Sequence, residues 1–137
     1  KKSTGLQIVV DQRDNVRDLE EAAGAAGAKL SVVIDLNVGT DRTGITVGEP
    51  ALALLELIGK TRALSFGGFQ AYGGHLQHMV GWEYRRQASM ETLGRALEVK
   101  HRAEKAGYHR SDRECEGTQP DDQAGEDPGD GDRHPGR

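Results

Sequence analysis

The segment Leu30-Ser31-Val32-Val33-Ile34-Asp35-Leu36 is short, apolar and rich in β-branched residues. A nearly continuous run of this kind predicts a buried strand. The earlier segment Leu6-Gln7-Ile8-Val9-Val10 has the same character and ends at a polar stretch, Asp11-Gln12-Arg13. A third strand is predicted over residues 64–70, although Gly67 and Gly68 weaken its pattern. The sequence therefore predicts three short strands.

Helical patterns follow each of these strands. The first helix is expected to be capped by Asp14 or Asn15 and to stop at Gly27. Its apolar positions at helical spacing are Val16, Leu19, Ala22, Ala23 and Ala26. The second helix opens at Gly48-Glu49-Pro50, and its apolar stripe is Leu52, Leu55 and Ile58. A long third helix is predicted over residues 81–106, with Trp82 and Tyr84 forming part of the core.

A helix after every strand predicts the α/β class, with a parallel sheet and helices outside it. Three βα units fit part of a (β/α)8 barrel of the TIM type, and they also fit part of an open sheet. Hydrophobic periodicity does not separate these two architectures.

The last part of the chain has a different composition. From His109 to Arg137 only Cys115 and Ala124 are apolar, and 4 Lys and Arg face 9 Asp and Glu. Such a segment buries too little to offset the entropy cost of ordering, so we expect a disordered acidic tail over residues 108–137 and a barrel part over residues 1–107.

Composition also excludes several classes of partner. No apolar run reaches the roughly 18 residues of a membrane span. The sequence also has no basic patch with interleaved aromatic residues, the pattern that would predict nucleic-acid binding. The single cysteine excludes an internal disulfide and a multi-cysteine metal site. We therefore expect a cytoplasmic protein with a small-molecule ligand.

The loop after the second strand is the first candidate site, because parallel α/β folds bind ligands at the carboxyl ends of their strands. The segment Asp35-Leu36-Asn37-Val38-Gly39-Thr40-Asp41-Arg42-Thr43-Gly44 leaves the strand and turns at two glycines. Gly39 and Gly44 indicate a positive φ or a close backbone approach, and Arg42 offers a planar donor to an anionic oxygen. The alternative is an ordinary solvated arginine.

The loop after the third strand is the second candidate. It reads Gln70-Ala71-Tyr72-Gly73-Gly74-His75-Leu76-Gln77-His78 and combines amide, phenol and imidazole groups. These groups suit hydrogen bonding and proton transfer to a ligand. The alternative is that they cap the next helix. A metal site is not predicted at His75 and His78, because no carboxylate or cysteine lies close by to complete the ligand set.

Taken in order, these two loops and the intervening Gly48-Glu49-Pro50-Ala51-Leu52-Ala53-Leu54 resemble the middle of the D-threonine aldolase and D-serine dehydratase family. The resemblance runs from about Leu6 to Gly107 and extends more distantly to alanine racemases. It implies a pyridoxal-phosphate barrel followed by a β domain, which favours the barrel over the open sheet by analogy.

The resemblance also implies roles for individual residues. Arg42 matches the arginine that faces the phenolic oxygen of pyridoxal 5'-phosphate, while Gln70 and Tyr72 match residues that line the cofactor pocket. His75 is expected on the same loop, toward the ring or the substrate. The family cleaves β-hydroxy-D-amino acids, such as D-threonine to glycine and acetaldehyde, with the help of a divalent metal ion.

The sequence also departs from the family. The family's cofactor-binding lysine precedes anything that matches Leu6, and its metal ligands follow Gly107, so no residue here is assigned either role. After Gly107 the expected apolar strand and glycine-rich turn are replaced by polar sequence, as a shifted reading frame would give. We expect a fragment that is inactive alone. A homodimer is expected only for the full-length parent protein.

Two alternatives to the aldolase fragment remain at this point. One is a fragment of a D-serine dehydratase-like lyase, in which the substrate hydroxyl leaves instead. The other is a non-catalytic barrel protein that binds pyridoxal phosphate or another small anion.

Overall fold

The computed structural model describes residues 6–110, and its elements follow the predicted order of strands and helices. In chain order they are β1 (Gln7–Val10), α1 (Arg13–Ala25), β2 (Leu30–Asn37), β3 (Ile45–Thr46), α2 (Glu49–Gly59), β4 (Leu64–Ala71), a short 3-10 helix (Gly74–His78) and α3 (Trp82–Lys105). The three predicted βα units are confirmed. The two-residue β3 and the 3-10 helix were not predicted.

The strands form one parallel sheet in which β2 is the central member. β1 pairs with β2 from Ser31 to Ile34, and β4 pairs with it from Leu30 to Leu36. Leu36 pairs with both Ile45 of β3 and Ala71 of β4. Because these partners must lie on opposite edges of β2, β3 lies on the β1 side, just beyond the point where β1 ends.

The core lies between one face of this sheet and the helices. Val32, Ile34 and Leu36 alternate along β2 and are fully or almost fully buried. From α2 come the buried side chains Ala51, Leu54, Leu55 and Ile58. The intervening residues of β2 point to the other face, which would be the interior of a closed barrel. That face carries Ser31, Val33, Asp35 and Asn37.

A bulge in β4 sets which of its side chains reach the interior face. Val32 of β2 pairs with Phe66, but the next residue, Val33, pairs with Gly68, so Gly67 is the extra residue. A Cβ on Gly67 would lie 2.5 Å from the Ser31 hydroxyl oxygen, so a larger residue here would have to displace the Ser31 side chain. Beyond the bulge Gln70 pairs with Asp35, which brings a polar side chain beside the buried carboxylate.

The predicted start of α1 is wrong by two or three residues. The helix begins at Arg13 after Gln12, and neither Asp14 nor Asn15 caps it. Asp14 lies instead in the first turn, where its negative charge interacts favourably with the helix dipole. It also forms an ion pair with Arg17. Val16 and Ala23 are buried as predicted, whereas Ala22 and Ala26 are exposed. The predicted end is confirmed, since Gly27 has a φ of +60°.

The prediction that Trp82 and Tyr84 belong to the core is also wrong. Trp82 is 68% exposed and Tyr84 is 64% exposed. α3 instead buries three smaller side chains, Thr92, Val99 and Ala103. Aromatic character alone therefore misled the prediction, because the helix packs through small residues from Thr92 onward.

The end of the described chain packs on α2. Tyr108 is partly buried against the core, and a Cβ on Gly59 would lie 2.8 Å from its ring. The predicted disordered tail falls outside the described residues apart from residues 108–110, so the division at Gly107 stays a prediction. Within residues 6–110 no helix is both long and apolar enough to cross a membrane.

Truncation of a core leucine tests the assignment of the core. We expect Leu54→Ala to lower the free energy of unfolding by about 2–5 kcal/mol, because it leaves a cavity where α2 meets the sheet. Leu97→Ala is the matched control, since Leu54 is 1% exposed and Leu97 is 50% exposed. Urea denaturation of both variants measures the difference, and equal losses would contradict the packing.

A second prediction concerns acid stability. Glu20 accepts the backbone N–H groups of Arg62 (2.8 Å) and Ala63 (2.9 Å), and these hydrogen bonds, Arg62 first, hold the pKa of Glu20 below its ordinary value of 4.5. A lowered pKa in the folded state stabilises the fold above the unfolded pKa, and this stabilisation is lost as the pH falls through the folded value.

Glu20→Gln should therefore reduce stability near neutral pH and flatten its dependence on pH in the acidic range. Glu21→Gln, which changes an exposed carboxylate on the same helix, should leave that dependence unchanged. Thermal unfolding across the acidic range distinguishes the two; identical profiles would show that the Glu20 contacts carry no stability.

Candidate functional site

The candidate site lies at the carboxyl ends of the parallel strands, between the loop after β2 and the segment after β4. A cavity of about 400 Å³ opens there. It is lined by Asp35, Leu36, Thr40, Arg42, Thr43, Gln70, Ala71 and Tyr72. Three of the four predicted site residues, Arg42, Gln70 and Tyr72, therefore meet around one cavity.

The side chain of Asn37 organises the loop after β2. Its Oδ1 accepts the backbone N–H of Gly39 (3.0 Å) and of Asp41 (3.3 Å), and its Nδ2 donates to Asp41 Oδ1 (2.9 Å). An asparagine that leaves a strand commonly makes such bonds to the backbone that follows. They hold Asp41 at a φ of +50°, which is uncommon for a residue other than glycine.

Contacts from two more elements fix the ends of the same loop. Asp11, directly after β1, accepts the N–H of Gly44 at 3.0 Å, and Arg95 of α3 donates to the carbonyl of Val38 at 3.1 Å. Gly44 has a φ of +97°, and a Cβ there would lie 2.6 Å from the backbone nitrogen of Asn37. The predicted close approach at Gly44 and the positive φ at Gly39 and Gly44 are both confirmed.

Arg42 lies on this loop, but its side chain makes none of the contacts that hold the loop in place. Its side chain is exposed and lines the cavity. Across residues 6–110 the guanidinium makes no hydrogen bond and no ion pair. The neighbouring carboxylates are already engaged, Asp41 by Asn37 and Asp35 by Thr43 and Gln70. An unpaired cation on a well-fixed loop is suited to an anionic ligand.

Asp35 is the residue of this site that sequence reasoning did not single out. It is 6% exposed, and its two oxygens accept from Thr43 Oγ1 (3.0 Å) and from Gln70 Nε2 (3.2 Å). The available signal was a carboxylate inside an otherwise apolar strand segment, because buried acidic residues need specific partners. The pairing with Gln70 depends on the β4 bulge, which local sequence patterns do not place.

Tyr72 follows β4 and forms one side of the cavity. It is 50% exposed, and its ring lies over Gly74, where a Cβ would come within 2.6 Å of a ring carbon. Gln77 Nε2 donates to its hydroxyl at 3.4 Å. The glycine therefore leaves room for the ring close to the backbone that begins the 3-10 helix.

His75 occupies a different position from the other three predicted residues. It is not among the residues that line the cavity; its ring packs beneath the loop, where a Cβ on Gly39 would lie 3.0 Å from its Cε1. Its Nδ1 is buried and has no partner within the part of the chain that the structure describes. In those residues no three His, Cys, Asp or Glu side chains cluster in a way that would hold a metal ion.

The geometry is that of a parallel α/β section with a cavity at the carboxyl ends of its strands. The family model for the alanine racemase N-terminal domain matches residues 2–116, and the chain belongs to this family.

Two curated relatives are similar to the larger part of the chain. A 3-hydroxy-D-aspartate aldolase of Paracoccus denitrificans (strain Pd 1222) is 31% identical over 86 residues, covering 63% of this chain and 22% of the relative. A D-threonine aldolase of an Arthrobacter species is 32% identical over 82 residues, covering 60% of this chain and 22% of the relative. The chain thus spans about a fifth of the length of these relatives.

Solved structures show the same relation. The crystal structure of D-threonine aldolase from Filomicrobium marinum has a TM-score of 0.72 and 29% identity, with 76% of this chain and 28% of that chain covered. Alanine racemase of Clostridium difficile 630, in complex with cycloserine, has a TM-score of 0.63 at 18% identity over 76% of this chain and 27% of its own. The second likeness shows the fold alone.

These comparisons confirm the partial barrel and the resemblance to D-threonine aldolases. They resolve the choice between barrel and open sheet that periodicity left open. The resemblance to D-serine dehydratases and the roles of the four predicted residues stay predictions.

Substitution at Gly44 tests whether the fixed loop depends on its backbone geometry. Gly44→Ala should destabilise the fold by about 1–3 kcal/mol, since it adds a Cβ at positive φ against backbone. Gly24→Ala is the control: its Cβ meets nothing within 4 Å, and a helical alanine should stabilise α1 by about 0.5–1 kcal/mol. Thermal unfolding measures both, and a Gly44→Ala variant as stable as Gly24→Ala would contradict the geometry.

Proposed function

We propose that this chain is the cofactor-facing section of a pyridoxal-phosphate-dependent lyase that cleaves β-hydroxy-D-amino acids. The observation that carries the proposal is the unpaired guanidinium of Arg42 on a loop fixed from β1, β2 and α3. The names of the two curated relatives, both aldolases of such amino acids, support the reaction class.

The residues present fit a cofactor of this kind. The cavity of about 400 Å³ lies within the ordinary range for small-molecule sites. Arg42 can donate to an anionic ring oxygen, and Tyr72 presents a flat, half-exposed ring beside it. His75 does not line this cavity, and its ring lies against Gly39 of the loop that carries Arg42.

When bound, pyridoxal phosphate supplies an electron sink for the electrons of a broken bond at the substrate's α-carbon. The residues of this chain bind and orient rather than break the bond. Arg42 holds negative charge on the ligand, and its planar, permanently charged group needs no proton exchange to do so. Tyr72 covers one side of the cavity against water. Gln70 adds a neutral polar contact that Asp35 supports.

The lysine that binds the cofactor and the ligands of a divalent metal ion are not assigned to any residue of this chain. We propose that they belong to other parts of a longer protein, and we expect the 137-residue chain alone to release no glycine from D-threonine. The similar identities to the D-threonine and 3-hydroxy-D-aspartate relatives leave the side chain of the substrate open.

A chimeric enzyme tests the proposal. Residues 6–107 replace the matching segment of the Arthrobacter D-threonine aldolase, and the purified chimera is examined for cofactor content and for glycine release. We expect both to be retained. Arg42→Ala in the chimera should weaken cofactor binding about 10- to 100-fold, the loss typical of a hydrogen bond to a charged group.

Arg86→Ala is the matched control, because Arg86 is exposed on α3 and lies outside the cavity lining. It should bind the cofactor as the unsubstituted chimera does. If Arg42→Ala behaves like Arg86→Ala in a chimera that folds, the proposed role of the loop is wrong.

A further inference from the structure

Asp35 is the most buried charged group of the site. Its neighbours along the interior face of β2, Ser31 and Val33, are neutral. Burying a carboxylate costs free energy unless its partners compensate, and a well-packed apolar residue is often at least as stable in such a position. The carboxylate at 6% exposure therefore needs an explanation other than packing.

The hydrogen bonds of Asp35 dictate how Gln70 is turned. A carboxylate only accepts hydrogen bonds, so the group that Gln70 offers to Asp35 must be its NH2. This agrees with the 3.2 Å contact between Gln70 Nε2 and Asp35 Oδ1. The second oxygen of Asp35 accepts a hydrogen bond from Thr43, so Gln70 donates to Asp35 through one amide proton only. The carbonyl oxygen of Gln70 is then left for the cavity, which Gln70 lines.

We infer that Asp35 is a positioning residue that fixes the Gln70 amide with its oxygen toward the ligand. The cavity then presents donors at Arg42 and an acceptor at Gln70, so it selects a ligand that carries a donor group, such as an ammonium, as well as an anionic oxygen. The selection of a ligand rests on the proposed function, whereas the orientation of Gln70 does not.

Asp35 has a second effect through Thr43. That residue directly follows Arg42, and its hydroxyl donates to Asp35 at 3.0 Å. The same carboxylate therefore holds both the loop that carries Arg42 and the side chain of Gln70. Loss of the Asp35 charge should disturb the Gln70 amide more than Arg42, because the loop that carries Arg42 is also held by Asn37 and Asp11.

The first experiment uses the full chain without any ligand. In the ¹⁵N-labelled protein, the Gln70 side-chain amide is assigned by its absence in Gln70→Leu. We expect the one amide proton that is hydrogen-bonded to Asp35 to show a nuclear Overhauser contact to the Asp35 β-protons and to exchange with water more slowly than the other proton of the same amide. In Asp35→Asn, where the partner can donate as well as accept, exchange should be about tenfold faster. Asp18→Asn, an exposed change of the same chemistry, should have no effect.

The second experiment uses the chimera, freed of its cofactor, and measures binding of two probes that share the ring, phenol and phosphate: pyridoxamine 5'-phosphate, which carries an ammonium, and 4-deoxypyridoxine 5'-phosphate, which does not. Asp35→Asn should weaken binding of the first about tenfold and of the second less than about twofold. Arg42→Ala should weaken both. Asp18→Asn again serves as the control.

The outcomes separate the two proposals. Gln70 amide protons that exchange as fast as those of free glutamine in the unsubstituted chain would overturn the positioning role. Equal loss of affinity for both probes in Asp35→Asn would also overturn it, because it would show a purely structural effect. If the unsubstituted chimera binds neither probe, the proposed function is contradicted, and the spectra of the free chain still decide the role of Asp35.

Discussion

Parallel pairing along both edges of β2 is the constraint on which the rest of the structure depends. β1, β3 and β4 all pair with this strand, so its register fixes where every other strand ends. Its side chains also divide the fold in two. Val32, Ile34 and Leu36 pack under the helices, whereas Asp35 and Asn37 point the other way and hold the groups of the site. Stability and ligand chemistry are thus encoded in alternate residues of one segment.

Much of this arrangement was predictable from local sequence. The order of strands and helices followed from apolar runs and from Pro50, whose fixed φ suits the first turn of a helix. The special backbone at Gly39 and Gly44 followed from the glycines themselves. The helix cap at Asp14 and the burial of Trp82 were wrong, because both depend on how a helix meets its neighbours rather than on its own residues. The pairing of Asp35 with Gln70 was not predictable, since it joins residues 35 positions apart across a bulge.

The candidate site combines two kinds of inference. The resemblance to aldolases gave Arg42, Gln70 and Tyr72, and the fold brings these three around one cavity. The resemblance did not explain why the loop keeps its shape. That reason is physical: backbone groups of residues 38–44 are bonded to side chains from three separate elements, so little conformational freedom remains to be lost when a ligand binds.

The extra residue in β4 has a consequence for how relatives of this chain are compared. If Gly67 paired with Val33 in regular register, with no bulge, Phe69 would stand opposite Asp35 and Gln70 would turn toward the helices. An alignment that omits the one-residue gap at Gly67 for a relative without the bulge therefore exchanges the chemical character of the two faces of the strand. Relatives that lack the bulge should carry the polar side chain that faces Asp35 one position earlier in the strand. An alignment that ignores this shift would assign the role of Gln70 to the wrong residue.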